Sequence, residues 1–271
     1  MDLVVMLGQE QDSYGGNFDA DQSFRDLPSG SPSSRLQERA TLGDIMEKKP
    51  PWFCTALLVT FCISGILTEK ILEGKVFVFP KASTNSYVLL KPNLQQGLRH
   101  FTLSLEFFTD LTRSFVLFSA ASQDHDNEIL LMRHPEEYHT CVGGECAIFT
   151  MPKLTARSTF SWESICTTWD SATGIVQLWL NGQRLPRKAT AKGYEVKVDL
   201  VVMLGQEQDS YGGTFDADQS FVGEIAEVYL WDNVLPAEQI RNIQQHTTPA
   251  PLVAWTSLKF EIQGYVLMEP L

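Results

Sequence analysis

The chain has 271 residues, of which 44% are hydrophobic and 11% aromatic, and its formal net charge is −12 at pH 7. This length suits one large β domain with extensions or two small domains, and the hydrophobic fraction is enough for a sizeable core. The negative charge argues against a nucleic-acid partner, because binding to phosphate backbones requires a basic surface. An acidic surface otherwise indicates only a soluble protein.

Residues 1–45 begin with a repeated segment. Asp2 to Phe24 is the same string as Asp199 to Phe221, with Asn17 in place of Thr214 as the one difference. A strand and loop without partner strands cannot bury its apolar face, so we expect this copy to be unpaired and disordered. Residues 25–44 are rich in Pro, Ser and Gly at their start, which is typical of a linker.

Residues 46–65 have the three parts of a secretory signal peptide. Met46 to Lys49 is a short basic stretch, Trp52 to Ile63 is apolar, and Ser64-Gly65 offers small residues for cleavage. The apolar run is too short for a transmembrane helix, which needs nearly twenty apolar residues; a buried helix is the alternative. We therefore expect secretion, and we hypothesise that translation starts at Met46. Peptides from residues 2–40 in mass spectra of the natural protein would contradict that start site.

From about residue 66, short apolar runs alternate with turn residues, a pattern that predicts an all-β sandwich. The alternation in Phe101 to Phe108 places every second side chain on one face, and Asn181-Gly182 predicts a hairpin turn. One short helix is predicted from Pro236 to Gln245, because Pro occupies the first turn with an acidic residue close behind it. The predicted strands are Lys75 to Phe79, Tyr87 to Leu90, Phe101 to Phe108, Phe115 to Ser119, Glu128 to Met132, Tyr138 to Val142, Cys146 to Thr150, Ser164 to Asp170, Ile175 to Leu180, Leu200 to Leu204 and Phe221 to Trp231.

The loop after the strand Leu200 to Leu204 concentrates negative charge. Its carboxylates surround the turn pair Gly212-Gly213, and their mutual repulsion must be offset. A divalent cation is the usual answer, since calcium takes six to eight oxygen ligands and a loop with Gly can turn its oxygens inward. The four acidic residues are Glu207, Asp209, Asp216 and Asp218.

Three of the five cysteines remain after removal of the predicted signal peptide. Cys141 and Cys146 flank Val-Gly-Gly-Glu, where a hairpin would bring them together, and the oxidising secretory route favours a disulfide. With Cys166 as the third, any one of the three could be the unpaired thiol. Zinc binding is not expected, because the chain has no second CxxC or His-rich partner at a suitable spacing.

Several separated strings resemble the pentraxin family, in the family's order and over about three quarters of the chain. They are Gly74 to Pro80, Asp126 to Leu130, Leu204 to Gly213 and Gly264 to Val266. The family's His-x-Cys-x-Ser/Thr-Trp pattern is also present, with Ser164 in place of the His. Matches of this number and order are far more specific than a single motif.

The resemblance implies a lectin-like jelly roll of two sheets with one short helix for residues 66–271, and a homo-oligomer, namely a cyclic pentamer. It also implies two Ca²⁺ ions per subunit that bind phosphocholine-like or phosphoethanolamine-like groups or anionic glycans. Such a protein recognises molecular patterns in innate, acute-phase immunity and is not an enzyme. By position, the calcium ligands would be Asp126, Asn127, Glu207, the backbone carbonyl of Gln208, Asp209, Asp216 and Gln219.

The chain departs from the family at two places. The family's disulfide would join Cys166 to the position of Ser104, so that partner is missing. Some members bind choline through an apolar contact and a glutamate beside the metals, and others use tyrosines. The ligand pocket here would comprise Met132, Cys141, Glu145 and Cys146, which reproduces neither arrangement.

Two other functions compete with calcium-dependent recognition. Jelly-roll glycosidases use paired carboxylates, which Glu207 and Asp209 superficially offer; metal binding would consume both, and no histidine has an evident partner for general-base work. A structural pentraxin subunit with an altered ligand pocket is the third possibility. The missing Ser104–Cys166 disulfide favours it weakly, and the intact calcium-ligand set opposes it.

Overall fold

The computed structural model describes residues 72–151, 161–243 and 249–271. The repeated segment, the linker and the predicted signal peptide lie outside these ranges, as do the last two positions of the predicted helix. Within the described residues no helix is long and apolar enough to cross a membrane.

The regular secondary structure of the described residues is mainly β-strand, and every predicted strand is present, with its ends either as predicted or shifted by one or two residues. Four short strands were not predicted, namely Gln183–Arg184, Lys188–Ala189, Phe260–Gln263 and Leu267–Pro270. The strands are β1 (Lys75–Phe79), β2 (Tyr87–Leu90), β3 (His100–Phe108), β4 (Phe115–Ala121), β5 (Ile129–His134), β6 (Glu137–Val142), β7 (Glu145–Thr150), β8 (Glu163–Asp170), β9 (Ile175–Leu180), β10 (Gln183–Arg184), β11 (Lys188–Ala189), β12 (Val201–Leu204), β13 (Gly223–Trp231), β14 (Phe260–Gln263) and β15 (Leu267–Pro270).

The strands form two antiparallel sheets, which confirms the predicted two-sheet sandwich. The first has the order β10-β9-β8-β3-β13-β1-β15, with β11 also paired to β9; the second has the order β14-β2-β12-β4-β5-β6-β7. In the second sheet β12 lies between β2 and β4. The acidic loop that follows β12 therefore starts from the middle of a sheet.

Alternating side chains of the two sheets meet in one hydrophobic core. In β3, Phe101, Leu103, Leu105 and Phe107 are fully buried, which confirms their predicted common face. They pack with large aromatic side chains of other strands, including Trp169 of β8. The opposite face of β3 is also largely buried, because a helix covers part of that sheet.

The helix α1 (Ala237–Arg241) is shorter than predicted. Pro236 was predicted in the first turn but is the N-cap residue before it, and Asn242 leaves the helical region with φ of −130°. Ile240 is its buried residue and packs with Trp179 and with Cys166 on the outer face of the first sheet. A 3-10 helix, Trp255–Ser257, is a further short helical element.

The structure shows which of Cys141, Cys146 and Cys166 is the unpaired thiol, a question that the sequence left open. Cys141 and Cys146 are directly opposite each other on β6 and β7 and form a disulfide. Cys166 is free and buried, and its burial raises the pKa of the thiol well above the usual range. Ser104 lies directly across from Cys166 in the β3–β8 register, at the position of the missing partner.

The Ser104–Cys166 register predicts that Ser104→Cys forms a new disulfide, since directly opposed residues have Cβ atoms about 5 Å apart. The bridge would close a loop of about 60 residues, so stabilisation of about 2–4 kcal/mol is expected on oxidation. Thermal unfolding with and without reductant measures it, with Ser104→Ala as the control for the lost hydroxyl. A Ser104→Cys protein that keeps two free thiols after oxidation would contradict the register.

Candidate metal centre

The acidic loop leaves the second sheet at Gly205, the residue after β12. Gly205 has φ of +87°, and a Cβ there would lie 2.4 Å from Cε1 of Phe79. Only glycine fits this turn without displacing the Phe79 ring. The backbone N–H of Phe221 donates to the carbonyl of Gly205 at 2.9 Å, which closes the base of the loop.

Gln208 anchors the loop on the outer face of the sheet. Its side chain is fully buried, and Nε2 donates to the Val201 carbonyl at 3.0 Å and to the Ser119 hydroxyl at 3.2 Å. Its Oε1 accepts from the backbone N–H of Gly212 at 3.0 Å. The side chain is thus used within the protein, which is compatible with the predicted role of the Gln208 backbone carbonyl as a ligand.

The second half of the candidate site precedes β5. Asp126 Oδ1 accepts from the backbone N–H of Asn127 at 2.8 Å, and the Asn127 carbonyl accepts from Gly144 in the β6–β7 turn at 3.0 Å. These bonds hold the Asp126-Asn127 pair against a neighbouring hairpin.

Glu128 holds the Asp126-Asn127 segment in place, a role that the sequence analysis missed. The carboxylate is fully buried and accepts from the Ser122 hydroxyl at 3.0 Å, from the Tyr194 hydroxyl at 3.0 Å and from the Lys197 backbone N–H at 2.7 Å. A buried carboxylate with three donors is a structural anchor. The sequence did carry a signal for this role, because an acidic residue at the start of an apolar run must be either exposed or hydrogen-bonded.

The two halves meet around Glu207. Glu207 is 7% exposed. The pKa of its carboxylate is raised to about 7, mainly by burial and then by the negative charges of Asp209, Asp126 and Asp216. A hydrogen bond with Asn127 acts in the opposite direction. Predicted ligands from both segments therefore lie close enough to Glu207 to shift the pKa of its carboxylate.

Asp209 and Gln219 complete this group. Burial and the charges of Asp126 and Asp216 raise the pKa of Asp209. Gln219 donates its backbone N–H to the Asp216 carbonyl at 3.1 Å, and its own carbonyl accepts from Val116 of β4 at 3.0 Å. The structure therefore brings Asp126, Glu207, Asp209 and Asp216 within electrostatic reach of one another, and it ties Gln219 to the start of β4.

Buried oxygen atoms without partners give a direct test of whether a cation would fit here. Oδ1 of Asn127, Oε2 of Glu207 and Oε1 of Gln219 are buried and have no hydrogen-bond partner in the described part of the chain. An unpaired buried acceptor costs about 1–3 kcal/mol. Three such oxygens, contributed by both segments, form a donor set suited to a hard cation.

The carboxylates by themselves do not form a ready-made centre. Within residues 72–151, 161–243 and 249–271, no group of three or more His, Cys, Asp or Glu side chains has the arrangement of a metal site. Carboxylates repel one another, which limits how closely they can approach without a cation or other donors. Any cation bound here would thus need the amide and backbone oxygens together with the carboxylates.

The predicted ligand-pocket residues fall on two faces of the second sheet. Met132 and Cys141 pack with Val116 and Leu130 in a small apolar cluster on the outer face. Cys146 joins them through its disulfide to Cys141 and is exposed. By the alternation of the strand, Glu145 points the other way, and its Oε2 accepts from the Ala191 backbone N–H at 3.1 Å.

Comparison with known proteins identifies a family. A family model described as the Pentaxin family, that is, the pentraxins, matches residues 1–27 and 75–270. Mucosal pentraxin of Rattus norvegicus is 43% identical over 215 residues, which cover 79% of this chain and 94% of that protein. Serum amyloid P-component of Homo sapiens is 42% identical over 204 residues, which cover 74% and 89%.

A solved structure has the same fold. A native heptameric SAP-like pentraxin from Limulus polyphemus superposes with a TM-score of 0.65 at 19% sequence identity. The match covers 73% of this chain and 96% of that one. At this identity the similarity concerns the two-sheet jelly roll itself.

The raised pKa of Glu207 predicts an unusual pH dependence of stability in chelator. The folded-state pKa of about 7 lies above the reference value of 4.5, so the folded protein binds the extra proton between these pH values. The free energy of unfolding of the metal-free protein should therefore gain a contribution as pH falls from about 7 towards 4.5. Urea unfolding in chelator at several pH values measures it.

Glu207→Gln is the control for that measurement, because the amide cannot titrate. The variant should lose this part of the pH dependence and be more stable than the wild-type protein at pH 8 in chelator. Equal slopes for the two proteins between pH 7 and 4.5 would show that Glu207 is not the titrating group.

Proposed function

Because the chain belongs to the pentraxin family, we propose that it is a secreted, calcium-dependent pattern-recognition protein of innate immunity. It binds phosphate-bearing or other anionic ligands through two calcium ions per subunit. The observation that carries this proposal is the set of buried, unpartnered oxygens of Asn127, Glu207 and Gln219 beside mutually repelling carboxylates. Calcium prefers carboxylate, amide and carbonyl oxygens, which are the groups that these segments supply.

Each predicted ligand has a distinct part in holding the ions. Asp126, Glu207, Asp209 and Asp216 supply negative charge, and Asn127 and Gln219 supply neutral amide oxygens. Glu128 and the side chain of Gln208 position the two segments without contacting the metal. Bound calcium supplies the positive charge that an anionic ligand needs on an acidic surface.

Assembly would convert a weak single site into strong binding. We propose a homo-oligomer, most simply a pentamer, in which several sites face one ligand-dense surface and act together. The Limulus relative is described as heptameric, so this fold is compatible with an assembly of several subunits. Secretion fits the proposed signal peptide at residues 46–65.

The alternatives are less well supported. A glycosidase needs one carboxylate for acid catalysis and another free as nucleophile or base, whereas Glu207 and Asp209 share a cluster with two further carboxylates. A purely structural subunit would have no reason to keep oxygens of two segments buried and unpaired. We therefore propose a non-enzymatic role.

Binding to an anionic matrix tests the function. The secreted protein should be retained on immobilised phosphoethanolamine in millimolar calcium and be released by a chelator, because the ligand would complete the coordination of the metal. Retention that does not depend on calcium would point to a different surface. Failure to bind either calcium or phosphate monoesters would favour the structural alternative.

Single substitutions test the residues. Glu207→Gln or Asp209→Asn should weaken calcium binding by roughly 100-fold or more, since each removes a charged ligand. Asp218→Asn is the matched control, because Asp218 lies in the same loop but is exposed and outside the proposed ligand set. Calcium affinity measured by calorimetry should be near wild type for Asp218→Asn. An equal loss in all three variants would indicate a general charge effect.

A further inference from the structure

The acidic loop consists of a first limb and a return limb. The first limb, residues 206–212, leaves β12 and is held on the sheet by the side chain of Gln208. The return limb, residues 216–220, leads towards β13. It carries Asp216 and Gln219 of the proposed ligand set, so its position decides whether the oxygens of these two residues can meet a cation.

Arg113 reaches the return limb from the segment that precedes β4. Its side chain is half-buried, and one terminal nitrogen, Nη1, donates to the backbone carbonyls of Asp218 at 3.0 Å and Ser220 at 2.7 Å. The same nitrogen donates to the carbonyl of Ser114 at 2.8 Å. A guanidinium is always charged and its donors lie in a rigid plane, so these are charge-assisted hydrogen bonds with one defined geometry.

The two carbonyls of the return limb that Arg113 binds lie on either side of Gln219. The backbone of Gln219 is fixed as well: its N–H donates to the Asp216 carbonyl at 3.1 Å, and its carbonyl accepts from the N–H of Val116 at 3.0 Å. Its side-chain oxygen Oε1 is buried and has no hydrogen-bond partner among the described residues. The backbone is thus held around a side-chain oxygen that is still available to a cation.

The charge and the hydrogen bonds of Arg113 have opposite effects on a cation bound to this loop. A positive charge near the site repels the cation and lowers its affinity. Hydrogen bonds that hold the return limb raise the affinity, because the limb does not have to be ordered when the cation binds. Since the two effects differ in sign, a measurement of affinity can separate them.

We propose that Arg113 is a positioning residue of the calcium site. It orders the return limb before calcium binds, so that Asp216 and Gln219 are already in place, and it does not contact the metal itself. The inference rests on the proposed function, because calcium must bind the loop for the positioning to matter.

Calorimetric titration of chelator-treated protein with calcium tests the effect on affinity. Arg113→Gln should weaken calcium binding by roughly 10- to 100-fold, the usual effect of removing a group that orients a metal ligand, although the substitution also removes a repulsive charge. Arg113→Lys keeps the charge and a donor, and its affinity should lie between those of Arg113→Gln and the wild-type protein.

Arg133→Gln is the matched control, because it removes the same charge from a neighbouring strand. Arg133 lies opposite Phe115 in the β4–β5 register and pairs with Glu163 at 3.5 Å. Its calcium affinity should equal the wild-type value or slightly exceed it. A loss in Arg133→Gln as large as in Arg113→Gln would contradict a specific role for Arg113.

Hydrogen exchange in chelator tests the positioning without any metal. The backbone N–H groups of Gln219 and Ser220 are hydrogen-bonded within the return limb, so they should exchange slowly in the wild-type protein. In Arg113→Gln they should exchange about tenfold faster, the effect of losing one hydrogen bond, while the amides of β4 and β12 keep their rates. A general loss of stability would instead accelerate exchange in the strands as well.

The outcomes distinguish the role of Arg113 from the proposed function. A calcium affinity in folded Arg113→Gln that equals or exceeds the wild-type value, or unchanged exchange at Gln219 and Ser220, would overturn the inference and leave the calcium site intact. If Arg113→Gln does not fold, wild-type affinity in Arg113→Lys would overturn it. Absence of calcium binding to the wild-type protein would overturn the proposed function and this inference together.

Discussion

The repulsion among carboxylates gathered around Glu207 is the constraint on which the rest of this structure depends. Burial raises the pKa of Glu207 most, and the negative charges of Asp209, Asp126 and Asp216 raise it further. A folded protein that holds such a group without a counter-charge does so at a cost in stability. The unpartnered oxygens of Asn127, Glu207 and Gln219 indicate the same deficit in hydrogen-bonding terms. We propose that bound calcium removes both costs.

The surrounding sheet serves to keep these oxygens together. Because β12 lies between β2 and β4, the loop that follows it returns across the outer face of β4. Gly205 permits the sharp exit from the strand, and Gln208 fastens the loop to the sheet. On the other side, Glu128 anchors the start of β5. We propose that these two segments, which are distant in sequence, thereby become the two halves of one calcium site.

Much of the fold could be predicted from the sequence because the central strands are long and regularly patterned. The alternation in β3 was confirmed residue by residue, and the Val-Gly-Gly-Glu turn correctly suggested the Cys141–Cys146 disulfide. The edge strands β10 and β11 were missed because two-residue strands carry no periodicity. The length of α1 was overestimated because the backbone conformation of Asn242 depends on tertiary context.

The residues of the candidate site could be proposed from the sequence, whereas the contacts that hold its segments in place could not. A loop with four acidic residues and a Gly pair already suggests a cation, and the family resemblance added the Asp126-Asn127 half. By contrast, the burial of Glu128 depends on Tyr194 and Lys197, which are more than sixty residues away along the chain. The pairing of Met132 with His139 across β5 and β6 likewise depends on strand register. Such pairings across the sheet have no local sequence signal.

Calcium stoichiometry tests the central claim most directly. Calorimetric titration of the chelator-treated protein should show two calcium ions bound per chain, together with a rise in the unfolding temperature. Protons should be released on binding near pH 7, because Glu207 must ionise to act as a ligand. Absence of calcium binding, with an unfolding temperature that is the same in calcium and in chelator, would contradict the account.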